Sequence, residues 1–144
     1  MNSELADLKV ENSWTVCEGE YNGNALIARV NTGLKTLVGD SRYQYRVGVA
    51  VPFNSVEKNG LPSGEESWKV SEIEDLLAAE LELDNESLFA VVITTGGVRE
   101  FVFYTSDPQE VEKKPEALAE RIDSHQIQHV SQPDEGWTVY RQFV

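Results

Sequence analysis

An α+β domain is what this sequence predicts, and three observations predict it. Tyr45, Val47, Val49, Val51 and Phe53 alternate with Gln44, Arg46, Gly48, Ala50 and Pro52, the period of two of a strand with one apolar face. Val70, Ile73, Leu76, Leu77 and Leu81 fall on one stripe of a helix, with acidic residues mostly off it. Two pairs of apolar runs are joined through Asn22-Gly23 and Gly96-Gly97, residues that accept the positive φ of a tight hairpin turn.

The elements follow in order. Residues 1–12 are polar and read as a loosely held lead-in, and 13–144 read as one domain, since 144 residues lie within the ~100–200 typical of one. Trp14–Glu18 is a strand that turns at Asn22-Gly23 into a second, Ala25–Val30. Asn31–Arg42, with Gly33 and Gly39, is a loop. The alternating strand ends at Pro52, which lacks an N–H. After the loop Asn54–Pro62, Ser63 and Glu66 have the spacing of a capping box, and Glu65 and Glu66 suit the positive end of a helix dipole. Leu88–Ile93 and Val98–Thr105 form the second hairpin. Asp107-Pro108 could cap a helix, but Pro115 would break its interior, so the helix is placed at about Pro115–Ser124. Ile127–Gln132 is a weak, polar strand. Trp137, Tyr140 and Phe143 recur at intervals of three and predict a short aromatic helix.

From Tyr43 onward the order is strand, helix, strand, strand, helix, strand. This is the split βαβ arrangement of ferredoxin-like domains, with an added N-terminal β-hairpin and a short C-terminal aromatic helix. It places the 45–53 and 98–105 strands mid-sheet and Ile127–Gln132 on an edge. If Phe101 and Phe103 face the helices, Val98, Val102 and Tyr104 face away. Either the N-terminal hairpin or a partner, a second copy included, should cover them.

Charge excludes some functions. Twenty-five acidic residues against 12 basic ones give a net charge of −13, which repels phosphate backbones and anionic membranes. No nucleic-acid or membrane partner is expected. The one cysteine, Cys17, suits a reducing compartment. The opening residues lack the basic flank and apolar core of a signal peptide, and the stretch Leu88–Ile93 is far shorter than the ~18–20 residues that cross a bilayer. The reading is a bacterial-type cytoplasmic protein.

Catalysis needs convergent groups, and no constellation is evident; no cofactor and no metal are expected. His125 and His129 with Asp123 lack a further ligand at recognisable spacing, and read as edge-strand histidines in solvent. Cys17 reads as a small core residue. Gly96-Gly97-Val98-Arg99 leads from strand to strand, so it is a hairpin and no phosphate loop. The acids Glu65, Glu66, Glu72, Glu74 and Asp75 read as a solvated or partner-facing helix surface. Trp68 and Trp137 read as packing residues. Arg46 and Arg99 are cations on central strands that either pair locally or form an anion site.

Several segments together resemble the uncharacterised bacterial family known as domain of unknown function 695. They are Asn31-Thr32-Gly33-Leu34, Arg46–Phe53, Gly60–Glu66, Ile73-Glu74-Asp75, Gly97–Tyr104, and the closing Asp134, Trp137, Tyr140 and Phe143. The resemblance spans about residues 14–144, and implies a fold but no activity. The segment Asp134–Tyr140 is also similar to the end of the RraB family, regulators of ribonuclease E activity. Those are small, acidic, ferredoxin-like proteins that inhibit an enzyme by binding it, and the similarity carries over no inhibitor residue.

Three functional readings follow. The leading one is a non-enzymatic module, of the kind that regulates an enzyme, docking its acidic helix face on a basic protein surface. The alternative is a small-molecule binder or enzyme with a pocket between the N-terminal hairpin and the sheet, lined by Arg46, Arg99 and Tyr104. The third is self-association through the sheet, giving a homodimer.

Overall fold

The computed structural model describes residues 3–144, with side chains from Leu5 onward. Met1 and Asn2, at the start of the expected lead-in, lie outside the described residues. Six strands form one sheet: β1 Trp14–Tyr21, β2 Asn24–Asn31, β3 Tyr45–Pro52, β4 Ser87–Thr95, β5 Val98–Thr105 and β6 Gln128–Pro133. Their spatial order is β1-β2-β4-β5-β3-β6, and every neighbouring pair is antiparallel. The helices are α1 Ser3–Ala6, α2 Gly64–Leu81, α3 Pro108–Arg121 and α4 Thr138–Arg141. The α+β class therefore stands.

Both hairpins turn as their residues dictate. Asn22 and Gly23 have φ of 51° and 81°, and Gly96 and Gly97 have 59° and 83°, the left-handed pair that matches strand twist. The first hairpin extends the sheet, because β2 pairs along β4 from Leu26↔Thr95 to Val30↔Val91.

Two apolar clusters lie on opposite faces of the sheet. On one face, Val47, Val49, Val51, Phe89, Phe101 and Phe103 pack against Val70, Ile73, Leu77 and Leu81 of α2 and Val111 and Leu118 of α3. Leu76 does not join this stripe and is 47% exposed; at ~100° per residue it turns onto the flank of the helix.

The opposite face corrects the expected cover. The hairpin does not fold over Val102 and Tyr104. They are buried by Leu5, by Leu34 of the 3-10 turn Thr32–Leu37, by Tyr43, and by Trp137 and Tyr140 at the closing segment. The lead-in is accordingly packed from Leu5, with the Leu5 and Leu8 carbonyls accepting from Asn85 Nδ2 at 2.8 and 2.9 Å. A β-carbon at Gly33 would collide with the Glu11 carbonyl, so only glycine lets the chain lie there. Asn31 fixes the same crossing. Its Oδ1 accepts from the Ser13 and Gly33 N–H groups, and its Nδ2 donates to Asn12 Oδ1 and the Phe89 carbonyl.

The second helix also differs from expectation. α3 starts at Pro108, under an Asp107 cap that accepts from the Glu110 N–H, and runs through Pro115. Pro115 forgoes one helical N–H bond, but it is buried on the core side with Val111 and Leu118, and that packing outweighs the lost bond.

Candidate functional site

The five acids of α2 do not act as one surface. Glu65 and Lys69 are an exposed i,i+4 pair at 3.7 Å, and Glu72 and Asp75 are exposed. Glu66 points inward and is buried. Its carboxylate accepts the Asn54 N–H at 2.6 Å and lies 2.9 Å from Nε2 of His125. Burial alone would raise its pKa, but the Asn54 N–H and the His125 ring hold it below the ordinary carboxylate value. His125 is thus buried at 6% exposure and precedes β6, contrary to the solvent-facing edge-strand reading. The other histidine, His129, does lie on β6, with Nδ1 2.6 Å from Glu112 Oε2. Glu74 faces the sheet and pairs with Arg29 at 2.5 Å.

What shares the outer face of α2 with Glu65, Glu72 and Asp75 is apolar. Trp68 is 68% exposed and Leu76 47%. Sequence reasoning assigned one to packing and the other to the core. The signal was present: at about 100° per residue Trp68 falls opposite Val70 and Leu77, and Glu72 and Leu76 trail from it toward the flank of the helix.

The alternative trio, Arg46, Arg99 and Tyr104, is not brought together. Arg46 pairs in register with Tyr104 on one face, whereas Arg99 lies opposite Thr94 and Val51 on the other. Arg46 and Tyr104 converge on Asp134, at 3.1 and 2.9 Å, and Thr138 donates both its N–H and its hydroxyl to the other carboxylate oxygen. Burial would raise the Asp134 pKa; the N–H of Thr138 and the Tyr104 hydroxyl overcome this and lower it. Trp137 stacks on Tyr104 with ring centroids 4.2 Å apart and donates from Nε1 to the Tyr43 carbonyl. The Tyr140 hydroxyl donates to the Asn31 carbonyl. This network is a latch in which both Asp134 oxygens, the Tyr104 and Tyr140 hydroxyls and the Trp137 indole N–H are engaged within the protein.

Arg99 instead lines a cleft of about 470 Å³ between α2 and the part of the sheet contributed by the first hairpin. α2 does not reach across the widened sheet, so Val16, Ile27, Arg29, Val92 and Thr94 line the floor. Ser67, Ser71, Glu74 and Asp75 form the helix wall, and Leu61-Pro62 close one end. Arg99 Nε donates to Thr94 Oγ1 at 2.8 Å and a terminal nitrogen reaches Ser67 Oγ at 3.3 Å, with the guanidinium 5.4 Å from the Phe53 ring centre. Burial, and then the charge of Arg29, lower its pKa. Among the described residues no group of three or more acids, histidines or cysteines has the arrangement of a metal site.

Among the described residues no helix is long and apolar enough to cross a membrane. No curated protein and no solved structure matches the chain, so the similarity of its closing segment to the RraB family is without support. A family model does match, over residues 12–144. It covers the 3-10 turn, the strands, both long helices and the closing latch, and the chain belongs to that family of unknown function, DUF695.

Proposed function

We propose that the protein is a non-enzymatic binding module that docks on a basic, apolar-centred protein surface through the outer face of α2. The observation that carries this reading is Trp68, a tryptophan 68% exposed on a helix of ordinary amphipathic pattern. Trp68 and Leu76 supply an apolar centre, and Glu65, Glu72 and Asp75 supply an acidic rim. That is the layout of an interface in which a few large side chains give affinity and rim charges steer encounter. Charge complementarity selects the occupant. Two copies of a −13 chain meeting face to face would juxtapose acid with acid, so a basic partner fits better than a second copy. An inhibitor-like role for such a module is an extension of the same reading, and the single cysteine suits a reducing cytoplasmic setting. We also infer that β3-α2-β4-β5-α3-β6 is a ferredoxin-like unit, supported by the strand order β6-β3-β5-β4 and antiparallel neighbours.

The test compares three baits in host lysate: the wild-type chain, Trp68→Ala and Leu76→Glu. Both positions are exposed, so the variants should fold, which circular dichroism verifies. A basic protein retained by the wild type, lost with Trp68→Ala and binding one-to-one when purified would support the reading. Association with that protein should slow several-fold between 0.05 and about 0.3 M salt. Identical capture by all three baits would refute docking through α2, and wild-type dimerisation abolished by Trp68→Ala would replace the partner with a second copy.

A further inference from the structure

We infer that the cleft beside α2 is a binding site for a small monocarboxylate with an apolar body, anchored by Arg99. Arg99 projects from a central strand into a half-buried position, and its partners are two hydroxyls and an aromatic ring. None of the ion pairs among the described residues includes it. A guanidinium has five N–H donors in a fixed fork that matches a carboxylate. Thr94 and Ser67 accept one each, and they hold the plane of the group without neutralising it. In a chain with about two acids for each base, a half-buried cation with no acid in direct ion-pair contact, reached only by the more distant charge of Glu74, is unusual.

The rest of the cleft narrows the ligand class. The other cation, Arg29, is already committed to Glu74. Glu74 and Asp75 both line the wall, so the lining as a whole is charge-balanced, two arginines against two acids, and Arg99 is the arginine outside an ion pair. That arrangement favours a monoanion and disfavours phosphate or a dicarboxylate, whose second charge would face Asp75. The remaining lining, Val16, Ile27, Val92, Leu61 and Pro62, is apolar. A volume of about 470 Å³ lies within the usual range for small-ligand sites, ~300–1,000 Å³. Ser71 adds a hydroxyl opposite the strands. This site shares Asp75 with the rim of the α2 outer face but is otherwise built from residues turned toward the sheet, and it does not depend on docking there.

The experiment is a heteronuclear NMR titration of the full chain with sodium 4-methylpentanoate, sodium benzoate and, separately, inorganic phosphate at matched ionic strength. The expected result is saturable shifts of the Ser67, Thr94 and Arg99 amides with at least one carboxylate, and affinity for phosphate at least tenfold weaker. Arg99→Gln should weaken carboxylate binding at least tenfold, and Arg99→Lys, which keeps the charge but loses the fork, should fall between. If Arg99→Gln does not fold, Ser71→Leu decides, because it fills the cleft from the half-buried helix wall, off the core stripe of α2, and should abolish the shifts. Absence of saturable binding of both carboxylates to the wild type would overturn the inference. So would equal carboxylate affinity in a folded Arg99→Gln or Ser71→Leu variant, or phosphate binding as tightly as the carboxylates.

Discussion

Glu66 ties three distant stretches of chain together with one carboxylate. Its oxygen takes the N–H of Asn54, two residues beyond β3, and faces His125 ahead of β6, while its own N–H is capped by Ser63 Oγ at 3.3 Å. The folded-state pKa is depressed, so the sign is fixed. The ionised, hydrogen-bonded form stabilises the fold above the unfolded-state value near ~4.3, and this contribution is lost as pH falls through the lower folded value. Glu66→Gln should cost about 1–3 kcal/mol at pH 7, where a buried charged acceptor is lost. Urea titrations at pH 7 and pH 3 should show that cost shrinking in acid; a cost independent of pH would mean that the ionised form contributes nothing. The sequence revealed half of this residue. The Ser63–Glu66 spacing identifies the helix start, since capping is local. The partners of the carboxylate lie 12 and 59 residues away, and no local pattern encodes them. The misreading of His125 as solvated has the same origin.

At the scale of elements, the legible ones are those whose signals are local: two hairpins marked by their turns, β3 by its alternation, and α2 by its stripe and cap. α3 was misjudged because a proline rule about isolated helices ignores burial, and the packing of Pro115 beside Val111 and Leu118 is tertiary information. The aromatic spacing located α4, but not the face it covers. Four residues cannot hold a helix by themselves, so α4 depends on its anchors. Trp137 is fully buried, stacked on Tyr104, and held at a φ of 53°. Trp137→Ala should therefore destabilise the domain by about 3–5 kcal/mol, the usual cost of emptying an aromatic site in a core. A urea midpoint unchanged within error would mean that the closing segment is dispensable. Tyr104→Phe, which removes the hydroxyl that donates to Asp134 and accepts the Tyr140 N–H but leaves the stack, should cost less, about 1–2 kcal/mol.

The whole molecule carries 25 acids and 12 bases, and the two long-range consequences of that imbalance have opposite salt dependence. Compaction brings like charges together, so the folded state repels itself more than the unfolded chain does, and screening relieves it. Against this stand ion pairs that salt weakens, such as Lys69–Glu65, Lys113–Glu110 and Arg121–Glu80, all on exposed side chains. Exposed pairs contribute little each, and with about two acids for every base most acids have no such partner. Repulsion should win. Raising sodium chloride from 0.02 to about 0.5 M should move the urea midpoint upward, by about 1 kcal/mol at most in stability. Sodium chloride is the appropriate salt, because sulfate would also strengthen apolar burial and blur the cause. Docking on a basic partner has the reverse sign, since the same screening removes the steering that brings the surfaces together. The pair of measurements is more discriminating than either alone. A stability that falls with salt would mean that local ion pairs outweigh net repulsion. The acids of α2 would then be structural counter-ions, and the case for them as a docking rim would lose its electrostatic basis.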